Sequence, residues 1–417
     1  MINALRSLLK QAFWQRAISV LIVVLGFNVV SSLDVFRQNL PFIHKWQLVF
    51  HRLLCAITPR PISAKWVRVV EIDDALHRQL GEPTDRNFLA SLVTNATGGN
   101  AAEVVLDFKL IAPADSGLGN NANQRPAADA HLLQAIRDAT DQGVPVVVPC
   151  WLKRTDKGKL ARYVNIYRDS ELPLPDSTGV CKHSACAALG NVNLPVDERL
   201  IPLVTEMEGD DPCQQSLALS AATAYESAID RQPRTVEKAI VHQALKDHEF
   251  VFGSFIKEDD FQRISAKDLA EKNGTALRAC RGRIVLIGGK WHSDLGNGDF
   301  VDRHNTPVGD MQGMYLHANY IEGLLDDRDQ LEVPIWFGLL FDLVVGGALY
   351  YSFHKAKKMA YKLVVMGLFF IPLFASYIVF ANLNRYLDFV LPLLGCFVHL
   401  TVEIARDYLT LRKENPA

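Results

Sequence analysis

The chain has 417 residues, of which 49% are hydrophobic and 22% charged, with a net charge of −2 and a mean hydropathy of +0.07. This balance excludes a strongly basic nucleic-acid binder, a mainly disordered chain and a transporter made only of membrane spans. Seven cysteines in a chain of this length also exclude a small disulfide scaffold.

The N-terminal end carries the first candidate membrane span. Residues 17–33 contain no charged side chain, and residues 1–16, which precede them, contain three basic ones. Such a layout is typical of a membrane anchor, and also of a signal peptide cleaved near Val30-Ser31-Ser32. We favour the uncleaved anchor, and both interpretations export the residues that follow.

The C-terminal end holds three more candidate spans and a short basic tail. The spans are predicted at 333–353, 363–384 and 386–405, and the tail at 406–417. Basic side chains also fill the loop HKAKK at 354–358. Because Lys and Arg in short loops stay in the cytoplasm, four spans place all the basic segments on that side. The sequence therefore predicts a multi-pass protein of the plasma membrane, embedded in the lipid bilayer, with residues 34–332 outside the cytoplasm.

The exported part divides into a stalk and a domain. Residues 34–66 are predicted to form a juxtamembrane stalk, because apolar side chains recur at helical spacing over 40–57. This amphipathic helix either packs on the domain, which we favour, or lies on the bilayer or on a partner. Residues 67–332 are predicted to form the domain itself.

Short apolar strands alternate with helices along the domain. Strands are predicted at 67–72, 103–108, 144–148, 249–256 and 283–287. Helices are predicted after Asp85 as N-cap, and at 129–139, 216–228, 235–245 and 314–325. Loops are predicted at 113–127 and 151–185. Nearly continuous apolar strands indicate an α/β fold with a mainly parallel sheet that is covered on both faces.

The candidate ligand-binding residues follow these strands, because ligands of parallel sheets bind beyond the carboxyl ends of the strands. The polar side chains predicted there are Asp73, Asp74, Asp107, Lys109, Trp151, Lys290, Trp291 and His292. The three acids suit a metal ion or a basic ligand. The alternative, which we favour for each acid, is that it caps a helix or bonds loop amides.

Motifs that would identify an enzyme are missing from the sequence. It contains no GxSxG elbow, no HExxH zinc signature, no GxGxxG and no Walker sequence. Gly288-Gly289 either lets backbone amides approach a phosphate or shapes a tight turn, and we favour the turn. We therefore expect no cofactor and no catalytic activity.

The cysteines are expected to form disulfides, because the domain is predicted to be exported. Cys181, His183 and Cys186 (CKHSAC) suit either a metal clip or a disulfide. We favour a Cys181–Cys186 disulfide, or pairing with Cys150, Cys213 or Cys280, and the sequence does not assign the connectivity.

One acid, Asp342, falls in the middle of the predicted span 333–353. A carboxylate inside a membrane is costly and usually faces other helices or a partner. Asp342 is expected either to pair with His399 or with a charged group of another protein, as a coupling residue between spans, or to remain neutral within the helical bundle.

Five segments resemble the second type of CHASE sensory domain. They are VVEIDD (69–74), Arg86 with its helix, VVLDF (104–108), ALGNVNLPVD (188–197), and RIVLIGG (283–289) followed by Asp294 or Asp302 and GMYLHAN (313–319). The resemblance covers about residues 67–326. The segment Gly81-Glu82-Pro83-Thr84 departs from the Trp-Pro-Trp-like pattern that is common before the arginine of that family.

The resemblance implies an exported sensor of bacterial receptors, with one span before the domain and three after it. It also adds Arg86 and His317 to the expected ligand-binding residues and implies a homodimer. Proteins of the family usually continue into a cytoplasmic output domain, whereas the predicted cytoplasmic tail here, 406–417, is only about a dozen residues long. We therefore expect a periplasmic sensor whose spans signal to a separate effector protein in trans. The alternatives are a structural subunit of an envelope complex and, less favoured, a metal-dependent membrane-anchored enzyme.

Overall fold

The computed structural model describes the predicted domain at 67–332 most completely. The described residues are 52, 63–81, 84–110, 127–154, 160–162, 167, 171–174, 185–192, 200–202, 213, 215–229, 250–253, 255–292, 302–326, 329–332, 336–337, 340, 344 and 385–386. The chain divides into two compact units, one formed by residues 60–329 and the other by residues 1–59 together with 330–417.

Helices and strands alternate through the larger unit. In chain order they are β1 (Val67–Asp73), α1 (Asp74–Leu80), α2 (Arg86–Gly98), β2 (Glu103–Asp107), α3 (Ala127–Asp141), β3 (Val146–Cys150), β4 (Leu152–Arg154), β5 (Leu160–Arg162), β6 (Ala187–Asn191), β7 (Leu200–Pro202), α4 (Leu217–Ala228), β8 (Phe250–Gly253), β9 (Arg263–Ser265), α5 (Ala266–Ala270), α6 (Gly274–Cys280), β10 (Ile284–Lys290), β11 (Arg303–Thr306), β12 (Gly309–Gln312) and α7 (Gly313–Leu325). Two further strands follow, β13 (Asp329–Glu332) and β14 (Arg385–Tyr386).

Six strands form one parallel sheet in the order β6-β3-β2-β10-β1-β9. The apolar stretches of β1, β2, β3 and β10 are buried, as expected for strands covered on both faces. The predicted α/β fold with a mainly parallel sheet is therefore confirmed. Because β10 lies between β1 and β2, the last long strand enters the centre of a sheet that the first two strands begin.

Helices α2, α3 and α5 pack together on one face of the sheet, and α4 and α7 pack together on the other. Helix α2 begins where the sequence predicts, since the Asp85 side chain accepts a hydrogen bond from the N–H of Asn87 at 2.9 Å. Its residues Leu89, Leu92 and Val93 share one side of the helix and are fully buried. The main apolar core lies between these helices and the sheet.

Two local predictions differ from the structure. The segment predicted as a loop at 151–185 contains the antiparallel hairpin β4–β5. Gly288 and Gly289 lie inside β10 and not in a turn. A Cβ at Gly288 would lie 2.7 Å from the Cβ of Met314, so this glycine lets α7 approach the sheet.

The structure shows which of the described cysteines form disulfides and which is a free thiol. Cys150, at the end of β3, is bonded to Cys213. Cys186 is also disulfide-bonded, which removes it as a metal ligand, whereas Cys181 lies outside the described residues. Cys280 is a buried free thiol, so the predicted option that included it in a disulfide is wrong.

The predicted stalk helix and spans lie almost wholly outside the described residues, as does the predicted helix 235–245. Of the helices in the described part of the chain, none combines the length and the apolar character of a membrane span. In the smaller unit, β13 and β14 pair in parallel, with Leu331 opposite Arg385 and Glu332 opposite Tyr386.

Candidate functional site

The carboxyl edge of the sheet, where the parallel strands end, carries the predicted ligand-binding acids and bases. Asp73 ends β1, Asp107 ends β2 and Lys290 ends β10, and these three strands are neighbours. The structure nevertheless distributes the predicted residues over separate groups of contacts.

Asp73 and Asp74 belong to the start of α1. The Asp73 side chain accepts a hydrogen bond from the N–H of Leu76 at 2.9 Å and is the N-cap of the helix, as the favoured interpretation predicted. The Asp74 carboxylate accepts from the backbone N–H of His292 at 2.7 Å and lies 2.5 Å from its Nδ1. The backbone hydrogen bond is the main cause that lowers the pKa of Asp74. Asp74 and His292 therefore join the ends of β1 and β10.

Lys290 lies in an ion-pair group on the face covered by α7. Its Nζ lies 3.5 Å from Oε1 of Glu71 and also contacts Glu258. The Tyr315 hydroxyl of α7 donates to Glu71, and burial together with this bond raises the pKa of Tyr315. Arg263 of β9 lies 3.9 Å from the same carboxylate. The charge of Lys290 is thus balanced by two glutamates, which favours a structural contribution over ligand binding.

Arg86 lies on the opposite face and ties three segments together. Its Nη2 donates to the carbonyl oxygen of Lys109 at 3.0 Å, and its Nε lies 3.7 Å from Asp129 of α3. Both side chains of this ion pair are less than 10% exposed. This buried ion pair fixes α2 and α3 to the segment that follows β2. Because Arg86 lies on the other face of the sheet, it is separated from Lys290 and its partners.

A second polar group, which we name the acid–histidine cluster, consists of Asp107, Asp302, His304 and His317. Oδ1 of Asp302 lies 2.8 Å from Nε2 of His304. The charges of Asp302 and His304 act on both Asp107 and His317. The cluster therefore combines the ends of β2 and of the loop before β11 with the first turns of α7.

Gly313, the first residue of α7, allows this arrangement. Its N–H donates to the carbonyl oxygen of Asp302 at 2.8 Å. A Cβ at this position would lie 1.8 Å from Oδ2 of Asp302, so a larger residue would displace the carboxylate from its present position. Asp302 itself has a positive φ of 58°, a conformation that aspartate tolerates better than most residues.

The ionisation of the acid–histidine cluster is strongly perturbed. Burial, and to a smaller extent the charge of Asp302, raises the pKa of Asp107 to about 8. Burial lowers the pKa of His317 to about 4, against the opposing effect of Asp302. Hydrogen bonding to His304 and the charges of His304 and His317 outweigh burial and lower the pKa of Asp302. At neutral pH, Asp107 and His317 are therefore both uncharged beside an ionised Asp302.

The far end of α7 forms a second set of contacts, which we name the clamp. The fully buried Glu322 accepts hydrogen bonds from three successive backbone N–H groups, those of Lys65 at 3.1 Å, Trp66 at 2.6 Å and Val67 at 2.7 Å. Trp66 also donates from Nε1 to Asp326 at 2.8 Å. The clamp fixes the last turn of α7 to the chain that leads into β1.

Sequence reasoning missed Glu71, Glu258, His304, Glu322 and Asp326. A charged residue inside an apolar strand, as Glu71 is within VVEID, is a signal that the side chain has a buried partner. The remaining four give no such local signal. Asp342 and His399, the predicted coupling residues of the spans, lie outside the described residues.

Metal binding finds no support at the described residues. Within them, no group of three or more His, Cys, Asp or Glu side chains is arranged to hold a metal ion. The acids Asp73, Asp74 and Asp107, predicted to converge, instead serve as a helix cap, as a partner of His292 and as a member of the acid–histidine cluster.

The fold and these polar groups define an α/β domain with a parallel sheet and a polar carboxyl edge, linked at both ends to apolar segments. A sequence profile of the CHASE2 domain matches residues 19–351. The chain therefore belongs to the CHASE2 domain family, a family of extracellular sensory domains. Comparison with curated proteins and with solved structures finds no significant match.

CHASE2 membership confirms the resemblance read from the five sequence segments. The matched range begins within the first predicted span and ends within the second, so it includes the whole described domain. A domain of this family is sensory rather than catalytic, and an extracellular sensor fits a periplasmic domain of a membrane protein.

Proposed function

We propose that the protein is a membrane-anchored periplasmic receptor of the bacterial plasma membrane. In this proposal it acts as a homodimer, detects its signal at the carboxyl edge of the sheet, and passes it through its spans to a separate effector. The observation that carries the proposal is helix α7, whose first turns belong to the acid–histidine cluster and whose last turn belongs to the clamp.

Helix α7 suits the transmission of a signal because it is one rigid element with a contact set at each end. Its 13 residues correspond to about 20 Å of helix. Along this length, Asn319 also pairs with both backbone groups of Ile256, accepting from its N–H at 2.5 Å and donating to its carbonyl oxygen at 3.0 Å. A ligand that binds one position of the first turn more tightly than another therefore shifts α7 as a whole and alters the contacts of the clamp.

Both ends of the clamp lead toward predicted spans. Residues 65–67 continue the chain that comes from the predicted span 17–33, and α7 continues toward the predicted span 333–353. A shift of the last turn of α7 relative to Trp66 is therefore a shift between the two connections to the membrane.

Three observations support the predicted topology. Trp336, Leu340 and Val344 are 64%, 54% and 60% exposed at a spacing of four residues, so they form an apolar stripe of the kind that faces lipid. The β13–β14 pair places residues 331–332 beside residues 385–386, and the topology predicts that both lie on the periplasmic side. Disulfides such as Cys150–Cys213 are characteristic of exported domains.

The separate effector is proposed from Asp342 within the predicted span 333–353. A carboxylate at this depth is expected to contact a polar group of another helix, either His399 of the same chain or a residue of the effector.

Topology is tested with fusions of a reporter that is active only outside the cytoplasm, inserted near Asn120 and, as the matched control, after Lys358. We expect activity at Asn120 and none at Lys358. Activity of a cytoplasmic reporter at Asn120 would refute the receptor.

Signal transfer is tested by photo-cross-linking in the native host, with the cross-linker at Phe341 in otherwise wild-type, Asp342→Leu and Glu322→Gln chains. We expect a cross-linked partner that is lost in Asp342→Leu and altered in yield by Glu322→Gln. A pattern of cross-links that neither substitution changes would contradict transfer through the spans.

A further inference from the structure

His317 has an unusual environment for a residue in the middle of a packed helix. It is 2% exposed, and its Nδ1 has no hydrogen-bond partner among the described residues. The ring also hydrogen-bonds the backbone of Val192. Burying a nitrogen without a hydrogen-bond partner is unfavourable, so such a group in a native protein calls for an explanation.

The groups around His317 are themselves titratable. Asp302 precedes β11, His304 belongs to β11, and the charges of both act on His317. The same two charges act on Asp107 at the end of β2, which lies opposite Gly288 of β10 in the sheet. Helix α4, which packs against α7, contributes the buried Tyr225 and Glu226 besides small and apolar side chains. Strands β1 and β10, which also pack against α7, contribute the ion pair of Glu71 and Lys290.

The unpaired Nδ1 accepts only a hydrogen-bond donor or a proton, because a neutral imidazole nitrogen without hydrogen is an acceptor. When it takes a proton, the imidazolium faces the Asp302 carboxylate and carries a positive charge into the first turns of α7, where the helix dipole disfavours it. When Asp107 loses its proton, it gains a negative charge within the electrostatic influence of Asp302, and like charges repel one another.

We propose that the acid–histidine cluster is a proton-binding site and that the signal detected by this domain is the pH outside the cytoplasm. This inference rests on the proposed receptor function and names its ligand as the hydrogen ion. Binding or release of one proton changes the charge beside the start of α7 by one unit. The first turn then moves relative to Asp302 and Gly313, and α7 carries that movement to the clamp.

The shifted ionisation constants place two transitions on either side of neutrality. Asp107, with its pKa raised to about 8, stays protonated until the solution becomes alkaline, and His317, with its pKa lowered to about 4, stays neutral until it becomes acidic. Between these limits Asp107 and His317 both stay uncharged, which corresponds to a resting receptor.

The test follows the clamp while the cluster is titrated. The full-length protein in lipid nanodiscs is labelled with 5-fluorotryptophan, and the Trp66 resonance is assigned with Trp66→Phe. Fluorine NMR is then recorded from pH 5 to 9. In the wild type we expect the Trp66 resonance to shift with a midpoint near pH 8, because Trp66 bonds Asp326 at the clamp.

Matched variants distinguish the cluster from other titrating groups. Asp107→Asn should abolish the alkaline transition, and His317→Gln should abolish the start of the acidic one. His131→Gln serves as the control, since His131 is an exposed residue that pairs with Asn87 at 3.0 Å outside the cluster, and it should leave both transitions unchanged. The wild-type titration by itself remains decisive if a variant does not fold.

Two results would overturn the inference, namely a Trp66 resonance that does not change between pH 7 and 9, or an alkaline transition that survives in Asp107→Asn. Failure of the receptor function would be recognised separately. If a cytoplasmic reporter is active at Asn120, the receptor is wrong whatever the titration shows. If the Asn120 fusion is active outside the cytoplasm and the Trp66 resonance does not change with pH, the receptor function is retained and the proton is not its ligand.

Discussion

Glu322→Gln is expected to destabilise the domain far more than a typical carboxamide substitution. The side chain is fully buried, and its two oxygens accept three backbone hydrogen bonds from residues 65–67. Two of these bonds, from Trp66 and Val67, go to Oε1, and the one from Lys65 goes to Oε2. In glutamine, the oxygen retains the first two as neutral bonds, and the NH₂ group faces the N–H of Lys65.

The loss can be estimated from these three bonds. A hydrogen bond to a charged group contributes about 1.5–3 kcal/mol and one to a neutral group about 0.5–1.5 kcal/mol. Two weakened bonds then cost roughly 1 kcal/mol each, and the lost bond costs about 2 kcal/mol, which gives about 4 kcal/mol in total. For a domain of this size, that corresponds to a fall of the melting temperature by roughly 8–16 °C.

The assay is thermal unfolding of the full-length protein in detergent, combined with hydrogen exchange of the peptide that contains residues 65–67. Glu271→Gln is the matched control, because its side chain is 62% exposed and lies 3.9 Å from Lys267, a weak surface ion pair. The control should change the stability by less than about 0.5 kcal/mol. A Glu322→Gln protein that melts within about 3 °C of the wild type, with unchanged exchange at 65–67, would refute this account of the clamp.

Three further substitutions test other parts of the domain. Glu103 is fully buried without hydrogen-bond partners among the described residues, and burial raises its pKa. Folding keeps Glu103 protonated, so the wild type loses stability as the pH rises above the pKa of glutamate in the unfolded chain. Glutamine has no proton to lose, and Glu103→Gln should therefore become more stable than the wild type by about 1.4 kcal/mol for each pH unit above that pKa, as long as Glu103 stays protonated in the fold. Melting curves of both proteins should coincide near pH 4 and diverge by pH 7.5, and parallel curves would contradict this. Cys213→Ser should cost roughly 4 kcal/mol in chemical denaturation, because the bond to Cys150 closes a loop with a sequence separation of 63, and an unchanged midpoint would exclude a stabilising disulfide. Gly288→Val should cost at least about 1–3 kcal/mol by displacing α7, whereas Gly98→Ala, with open space at its Cβ, should be neutral, and equal melting temperatures for the two variants would count against close packing at Gly288.

Local chemistry of the sequence determined the fold class. The apolar runs that became β1, β2, β3 and β10 are uninterrupted because each strand is covered on both faces, and this property is visible in the sequence alone. Asp85 likewise caps α2 through a hydrogen bond to a residue two positions away. Because such features depend on residues that are neighbours in the chain, they can be predicted without the tertiary structure.

Tertiary structure alone decided which polar groups meet. Residues close in sequence make different contacts, since Asp73 caps α1, whereas Glu71, on the same face of β1, contacts Lys290 of β10 and Tyr315 of α7. Residues far apart in sequence also influence one another, since the charges of Asp302 and His304 act on Asp107. The pairing of Cys150 with Cys213 is one of several that the spacing permits.

The physical reason is the position of β10. Because this strand inserts between β1 and β2, it delivers the following segments, β11 and α7, onto residues that were synthesised long before them. The sequence states which side chains are polar and which strands are buried, whereas the crossover that sets Glu322 against the chain entering β1 depends on the packing of the whole sheet.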